Sequence, residues 1–309
     1  MKTLRRLGQG LISLFVVSVV IWLMMALAPG DPAMRILLAR GIREPSPEQV
    51  AATQAELGLD LPMVQQYWKW ISGLPTANFG DSWTTGRPIA TEFLDRLPAT
   101  LILTLVALLL AIGLTLLLGI PAALWANQWP DRTSRVLSLI ALAAPSFLIG
   151  VLLMEVITVR MGLGRVLADG TWGTVFLPAL TLALGPAAAW SRLLRTSLLE
   201  TASAPFLAVA KGRGANTRYL LTTHLLPHSA PPMLTVVGLS TAALLGGAPV
   251  VETVFTWPGV GLYVVKAIEV RDLPVVADTT MFAVVVYILV SFLTDLILER
   301  IEPNWDPEK

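Results

Sequence analysis

Residues 99–126 read ATLILTLVALLLAIGLTLLLGIPAALWA, a stretch with no charged side chain anywhere in it. A helix rises about 1.5 Å per residue, so about 20 apolar residues cross a hydrocarbon core of roughly 30 Å. This run is long enough to cross a bilayer. Five more runs of that scale flank it: 11–28 before, then 136–159, 172–191, 229–251 and 279–298, interrupted only by Glu155 and Asp295. They are continuous and leucine-rich, not ten-residue alternations, which favours helices over an outer-membrane barrel. The pattern predicts an all-α integral membrane protein with six transmembrane helices.

Composition agrees. Of 309 residues 55% are hydrophobic and 14% charged, where a soluble domain carries about 25% charged residues. Too little polar surface remains to solvate a soluble fold, and disorder is excluded on the same ground. A net charge of +1 offers no basic field for nucleic acid. The absence of cysteine removes disulfides, thiolate metal sites and thiol nucleophiles.

Lys2, Arg5 and Arg6 ahead of the first run, with Ala26-Leu27-Ala28 behind it, resemble a signal peptide. The run exceeds the roughly 7–15 residues usual there, and Pro29 would be a poor first mature residue. A retained helix is expected. With the N-terminus inside, segments 1–10, 128–135, 192–228 and 299–309 hold 12 Lys and Arg, against 4 in the short outside loops 160–171 and 252–278. That bias puts both termini in the cytoplasm.

The outside loop 29–98 carries its own helix signals. Ser46-Pro47-Glu48 supplies a capping hydroxyl, a first-turn proline and an acid at the positive dipole end, and Gly58 supplies a stop. A second helix is expected over 63–71, where Tyr67, Trp68 and Trp70 suit either the headgroup level or packing beneath the loop.

The inside loop 192–228 is long for a connection between membrane helices and holds two helical segments. Ser203 and Pro205 are expected to open the first, whose alanines leave a slim surface around Phe206 and Leu207. Gly212 and Gly214 break it; Asn216 caps the second, 217–226, before Pro227. A short helix rich in small residues, held outside the bilayer, suits a groove on another protein.

The spacing Ala208-Val209-Ala210-x3-Gly214-x9-His224-x-Leu226-Pro227 resembles the EAA loop of ABC-importer permeases, EAA-x3-G-x9-I-x-LP, with Ala208 and His224 as departures. Phe206, Ala210, Gly214 and His224, with Glu200 upstream and Pro232 downstream, are similar to the dipeptide, oligopeptide and nickel branch. Further motifs follow in order: Leu4-Arg5-Arg6-Leu7, Pro29-Gly30-Asp31-Pro32, Phe79-Gly80-Asp81-Ser82, Leu97-Pro98-Ala99-Thr100, Pro145-Ser146-Phe147, Glu252-x-Val254-Phe255-x-Trp257-Pro258-Gly259-Val260-Gly261 and Arg271-Asp272-x-Pro274. The chain thereby resembles a B-type permease subunit of that family over nearly its whole length, as one transmembrane permease domain.

The resemblance implies a second homologous permease, two ABC ATPase subunits that bind ATP and Mg, and a periplasmic substrate-binding protein, assembled at the lipid of a bacterial inner membrane. The chain holds no G-x-x-x-x-G-K-[ST] phosphate loop, so it is expected to be non-catalytic and to bind no cofactor itself. Glu200, Phe206, Leu207, Ala208, Ala210, Lys211 and Gly214 are the implied coupling contact to the ATPase. Pro227, Pro232, Trp257, Pro258, Gly259 and Gly261 are implied as structural positions. Pro45 to Asp60 and the departure of Ala210-Lys211-Gly212-Arg213-Gly214 from A-R-A-K-G lean toward nickel or a metal chelate as cargo; di- or oligopeptides and glutathione are the alternative.

Glu155 is costly in a bilayer and is the candidate for the substrate path, although Arg160 could pair with it near the surface. His224 and His228 have metal-ligand spacing, but no metal site is expected there. A secondary transporter would need interrupted helices and midplane ionisable groups, a scaffold would not need the outside loop, and an enzyme would need an acid–base constellation that the chain lacks.

Overall fold

The computed structural model describes residues 2–27, 30–39, 41–76, 78–165 and 167–301. Pro29 and residues 302–309, invoked above for the end of the first span and the last inside segment, lie outside them. Among the described residues the elements are helices: α1 Lys2–Ala26, α2 Pro32–Ala39, α3 Pro47–Leu57, α4 Met63–Gly73, α5 Ile89–Leu124, α6 Trp129–Ala143, α7 Ser146–Leu153, α8 Phe176–Ala202, α9 Pro205–Gly212, α10 Thr217–Leu220, α11 Leu226–Phe255, α12 Val260–Val270 and α13 Leu273–Ile301. π-Helical turns extend α7 over Met154–Arg160 and join α10 to α11 over Leu221–Leu225.

Among the described residues three stretches are long and apolar enough to cross a membrane alone: Gly8–Ala26, Ile89–Leu124 and Leu273–Leu293. Two bent pairs bring the number to five at most, so the expected count of six is not reproduced. The run 136–159 bends by 107° between α6 and α7. Pro145 has no N–H to continue the ladder and disfavours helical geometry before it, and Ala144 is extended at φ −86°, ψ 132°. The run 172–191 is helical from Phe176 onward, within α8, whose small residues and two arginines dilute the hydropathy. That helix is covered by protein instead, with Ala179, Ala183, Ala187, Trp190, Leu194 and Leu198 all buried. It also continues past the expected end at 191 to Ala202.

The chain forms two compact units, Met1–Pro98 with Tyr263–Val286, and Ala99–Leu262 with Tyr287–Lys309. In the first, Ser46 and Gln49 form a reciprocal capping box on α3, and Gly58 closes the helix in the left-handed conformation at φ 70°. Asp31 accepts from the Ala33 N–H at 2.9 Å and from Gln54 at 2.8 Å, tying the start of α2 to α3. The aromatics of α4 divide. The Tyr67 hydroxyl meets Ser18 of α1 at 2.9 Å and Trp70 donates to Asp278 at 2.7 Å, whereas Trp68 is exposed. Two motifs far apart in sequence also meet: Asp272 accepts from the Ser82 hydroxyl at 2.6 Å and from the N–H groups of Trp83 and Thr84. Arg87 and Arg96 both pair with buried Glu92, and Arg96 covers the Tyr263 ring at 4.5 Å. Tyr263 has its phenol pKa raised, first by burial and then by the charges of Glu92 and Asp272.

The second unit is built on small residues. Along α5, Leu103, Ala107 and Ala111 turn inward while Leu101, Leu105, Leu109 and Leu117 point out. The inward row packs with Ala179, Ala183 and Ala187 of α8 and Ala248 and Val251 of α11. Leucine gains nothing by leaving lipid, so close backbone approach and hydrogen bonds replace hydrophobic drive. Buried Asp131 provides such a tie. Nε and Nη2 of Arg195 donate to its two carboxylate oxygens, at 2.7 and 2.8 Å, and Arg135 adds a contact at 2.9 Å. Charge-assisted bidentate pairs of this kind hold a fixed geometry, here between α6 and α8.

The turn after α11 is organised by a second buried carboxylate. Glu252 accepts from the Thr100 hydroxyl at 2.7 Å and the Leu262 N–H at 2.8 Å, while Thr100 accepts from the Val260 N–H. Trp257, wholly buried, donates to the Ala99 carbonyl at 2.9 Å. Thr256 is left-handed at φ 52°. A Cβ on Gly259 would collide with the Glu252 carboxylate, and one on Gly261 with the Pro249 backbone. That explains the Trp-Pro-Gly-x-Gly spacing: both glycines make room. Gly259→Ala should lower the stability of the detergent-solubilised protein by about 1–3 kcal/mol, read by thermal unfolding. Gly185→Ala, whose Cβ meets nothing within 4 Å, should leave it unchanged or slightly raised.

Candidate functional site

The segment between α8 and α11 is compact. Ser203 closes α8 rather than opening α9, donating its hydroxyl to the Glu200 carbonyl at 2.7 Å. The Glu200 side chain itself is exposed. Ala204 is the extended residue before α9, and Pro205 stands in its first turn, where a missing N–H costs nothing. Gly214, at φ 85°, reverses the chain, and the Ala215 N–H returns to the Ala210 carbonyl at 3.2 Å. Asn216 then caps α10 through the Tyr219 N–H at 2.8 Å. The expected stop before Pro227 does not occur. α10 runs through the π turn into α11, because Pro227 falls in the first turn of the new helix.

α9 has two faces. Leu207, named above for the partner contact, turns inward and is 2% exposed, clustered with Leu194, Leu198, Leu220 and Leu225 and flanked by Ala210. Phe206, Ala208 and Val209 face out, Val209 being 56% exposed, as does Tyr219 of α10. Lys211, Arg213 and Arg218 rim this apolar patch. The Phe206 ring lies 4.9 Å from His228 and 6.1 Å from His224. The Nδ1 of His228 meets the His224 carbonyl at 2.7 Å. The two histidines thus form an aromatic seat for Phe206. Among the described residues no group of three His, Cys, Asp or Glu could hold a metal ion. The helix is tied at Leu207 to the end of α8 and at Phe206 to the start of α11.

Other expected residues fall elsewhere. Glu155 pairs with Arg160 at 3.1 Å with both side chains well exposed, the surface pairing weighed above. Pro232 is an exposed residue within α11. Trp257, Pro258, Gly259 and Gly261 build the Glu252 turn. Sequence reasoning missed the roles of Asp131, Arg195, Glu252, Asp272 and Asp278. For the four acids the signal was a carboxylate at the edge of a run or inside it, a pattern that equally describes a solvated helix end. Leu207→Ala should loosen α9 by about 2–5 kcal/mol, so that trypsin cuts after Lys211 and Arg213 faster than in the unaltered protein. Val209→Ala, at a 56% exposed position of the same helix, should leave the cleavage rate nearly unchanged.

Comparison with known proteins matches residues 115–307 to the binding-protein-dependent transport system inner membrane component and residues 2–104 to the N-terminal part of such membrane components. The glutathione transport system permease protein GsiC of Escherichia coli (strain K12) is 34% identical over 291 residues, 94% of each chain. GsiC of Salmonella paratyphi A is 32% identical over 300 residues, 97% of each. Among solved structures, an inward-facing form of the MetNI methionine ABC transporter aligns at TM-score 0.56 and 19% identity, covering 68% of this chain and 95% of that one. An amino acid ABC transporter with histidines aligns at 0.54 and 15%, covering 68% and 94%. These last two bear on the fold alone.

Proposed function

The chain belongs to the family of inner membrane components of binding-protein-dependent transport systems, and from that premise we propose that it imports glutathione or another short peptide as one of two paired permeases. It is a permease subunit of an ABC importer, a multi-pass membrane protein that works with other permease, ATPase and binding-protein subunits. The ATP and Mg sites belong to two partner ATPases, and both termini of this chain face them from the cytoplasm.

The two-faced α9 carries the coupling part of this reading. Its outward Phe206, Ala208 and Val209 fit an apolar groove on an ATPase subunit, and Lys211, Arg213 and Arg218 fit acidic groups at that groove's rim. Leu207 stays beneath, in the cluster with Leu194, Leu198, Leu220 and Leu225. A push on α9 from closure of the ATPase pair therefore moves the ends of α8 and α11 together, and the path alternates between inward and outward openings. Short-peptide cargo is favoured by relatives that match over 94% of the chain and carry a glutathione name. Import of nickel or a metal chelate rests on residues 45–60 and 210–214 alone. A secondary transporter would run without ATP.

The test is ATP hydrolysis by the complete transporter in vesicles with its binding protein. Glutathione or dipeptides should stimulate it, and nickel, with or without a chelator, should not. Val209→Glu should cut the stimulated rate more than about tenfold, as burial of a charge at the centre of an interface does, while leaving the unfolding temperature unchanged. Stimulation by the chelate alone would sink the peptide reading and leave the permease standing; a wild-type rate in Val209→Glu would sink the coupling role.

A further inference from the structure

Asp278 lies on α13 within the first unit, 3% exposed, in a stretch apolar enough to cross a membrane. One carboxylate oxygen accepts from the Trp70 indole N–H at 2.7 Å. The other, Oδ2, is buried and finds no hydrogen-bond partner among the described residues. Buried polar atoms are nearly always partnered, and an acid in an apolar segment is otherwise paired or functional. The surroundings supply no donor for it. Asp278 lines a cavity of about 370 Å³ whose other walls are Leu14, Ile71, Leu74, Phe79, Met281, Phe282 and Val285.

We propose that this cavity binds a primary ammonium group carried on an apolar body, with Asp278 as the acceptor. The chemistry selects the ligand. An anion would face the carboxylate, and a neutral apolar molecule would leave Oδ2 unpaired at the full desolvation cost. An ammonium donates to Oδ2 and compensates its charge, while its apolar body fills the remaining walls. Trp70 fixes the carboxylate from the side of α4, so a ligand is needed only at the free oxygen. Two sources offer this chemistry: an aminophospholipid of the bilayer, and the free amino terminus of a peptide with an apolar side chain.

The complete transporter in nanodiscs free of aminophospholipid would be titrated with hexylammonium and with 1-hexanol by saturation-transfer NMR. This readout needs neither ATP nor transport, so it is independent of the function proposed above. Hexylammonium should bind at least about tenfold more tightly than hexanol, the scale of one charge-assisted hydrogen bond. Asp278→Asn should abolish that preference without changing hexanol binding or the unfolding temperature. Val285→Trp, which fills the cavity, should weaken both ligands. Equal binding of the two probes by the unaltered protein would overturn the proposal, as would a preference that survives Asp278→Asn or binding unchanged by Val285→Trp. Displacement of hexylammonium by phosphatidylethanolamine would assign the site to lipid, and displacement by leucyl-glycine would assign it to peptide. Displacement by neither would overturn it.

Discussion

Inside a bilayer leucine is as comfortable facing lipid as facing protein, and this constraint governs how the chain packs. The large side chains of α5, Leu101, Leu105, Leu109 and Leu117, point outward, and alanines line the inner row. Small residues let helix backbones approach closely, and specificity then falls to the few polar groups placed between them. Asp131, gripping Arg195 bidentately, and Glu252, gathering Thr100 and the turn after α11, are the two principal ones in the second unit. Each is an acid taken from water, and each stands only because several donors converge on it.

Asp131 also accounts for the shape of the segment that carries α9. α8 continues beyond its apolar stretch because Arg195, which would end a span in lipid, is satisfied by Asp131. The continued helix brings Leu194 and Leu198 to the place where Leu207 seats. The outward side of α9 is thereby held on a packed base. The His224 and His228 pair, whose spacing invites a metal reading, serves this base as a stacking surface for Phe206.

Much of the local structure was legible from residue types alone. Ser46, Gln49 and Gly58 delimit α3, and Asn216 and Gly214 delimit the turn between α9 and α10, because capping and left-handed turns depend on near neighbours only. Two departures share a cause. Counting uncharged runs carried the third span through Pro145, where the chain bends by 107°, and ended the fourth at 191, where α8 continues to Ala202. Hydropathy reports how a segment would fare in lipid, and α8 is surrounded by protein. It could not register that an arginine meets its aspartate 64 residues away.

The sequence by itself determined the class of this protein. Low charge, long apolar runs and ordered motifs suffice for an all-helical membrane permease of an importer family, since partition into lipid and local capping are summed residue by residue. The tertiary structure alone decided which side of α9 faces out, which acids are buried and why the Trp-Pro-Gly-x-Gly turn needs its glycines. It also left Oδ2 of Asp278 without a partner among the described residues. Those outcomes depend on contacts between residues far apart in the chain, and one-dimensional spacing carries no record of where such residues meet.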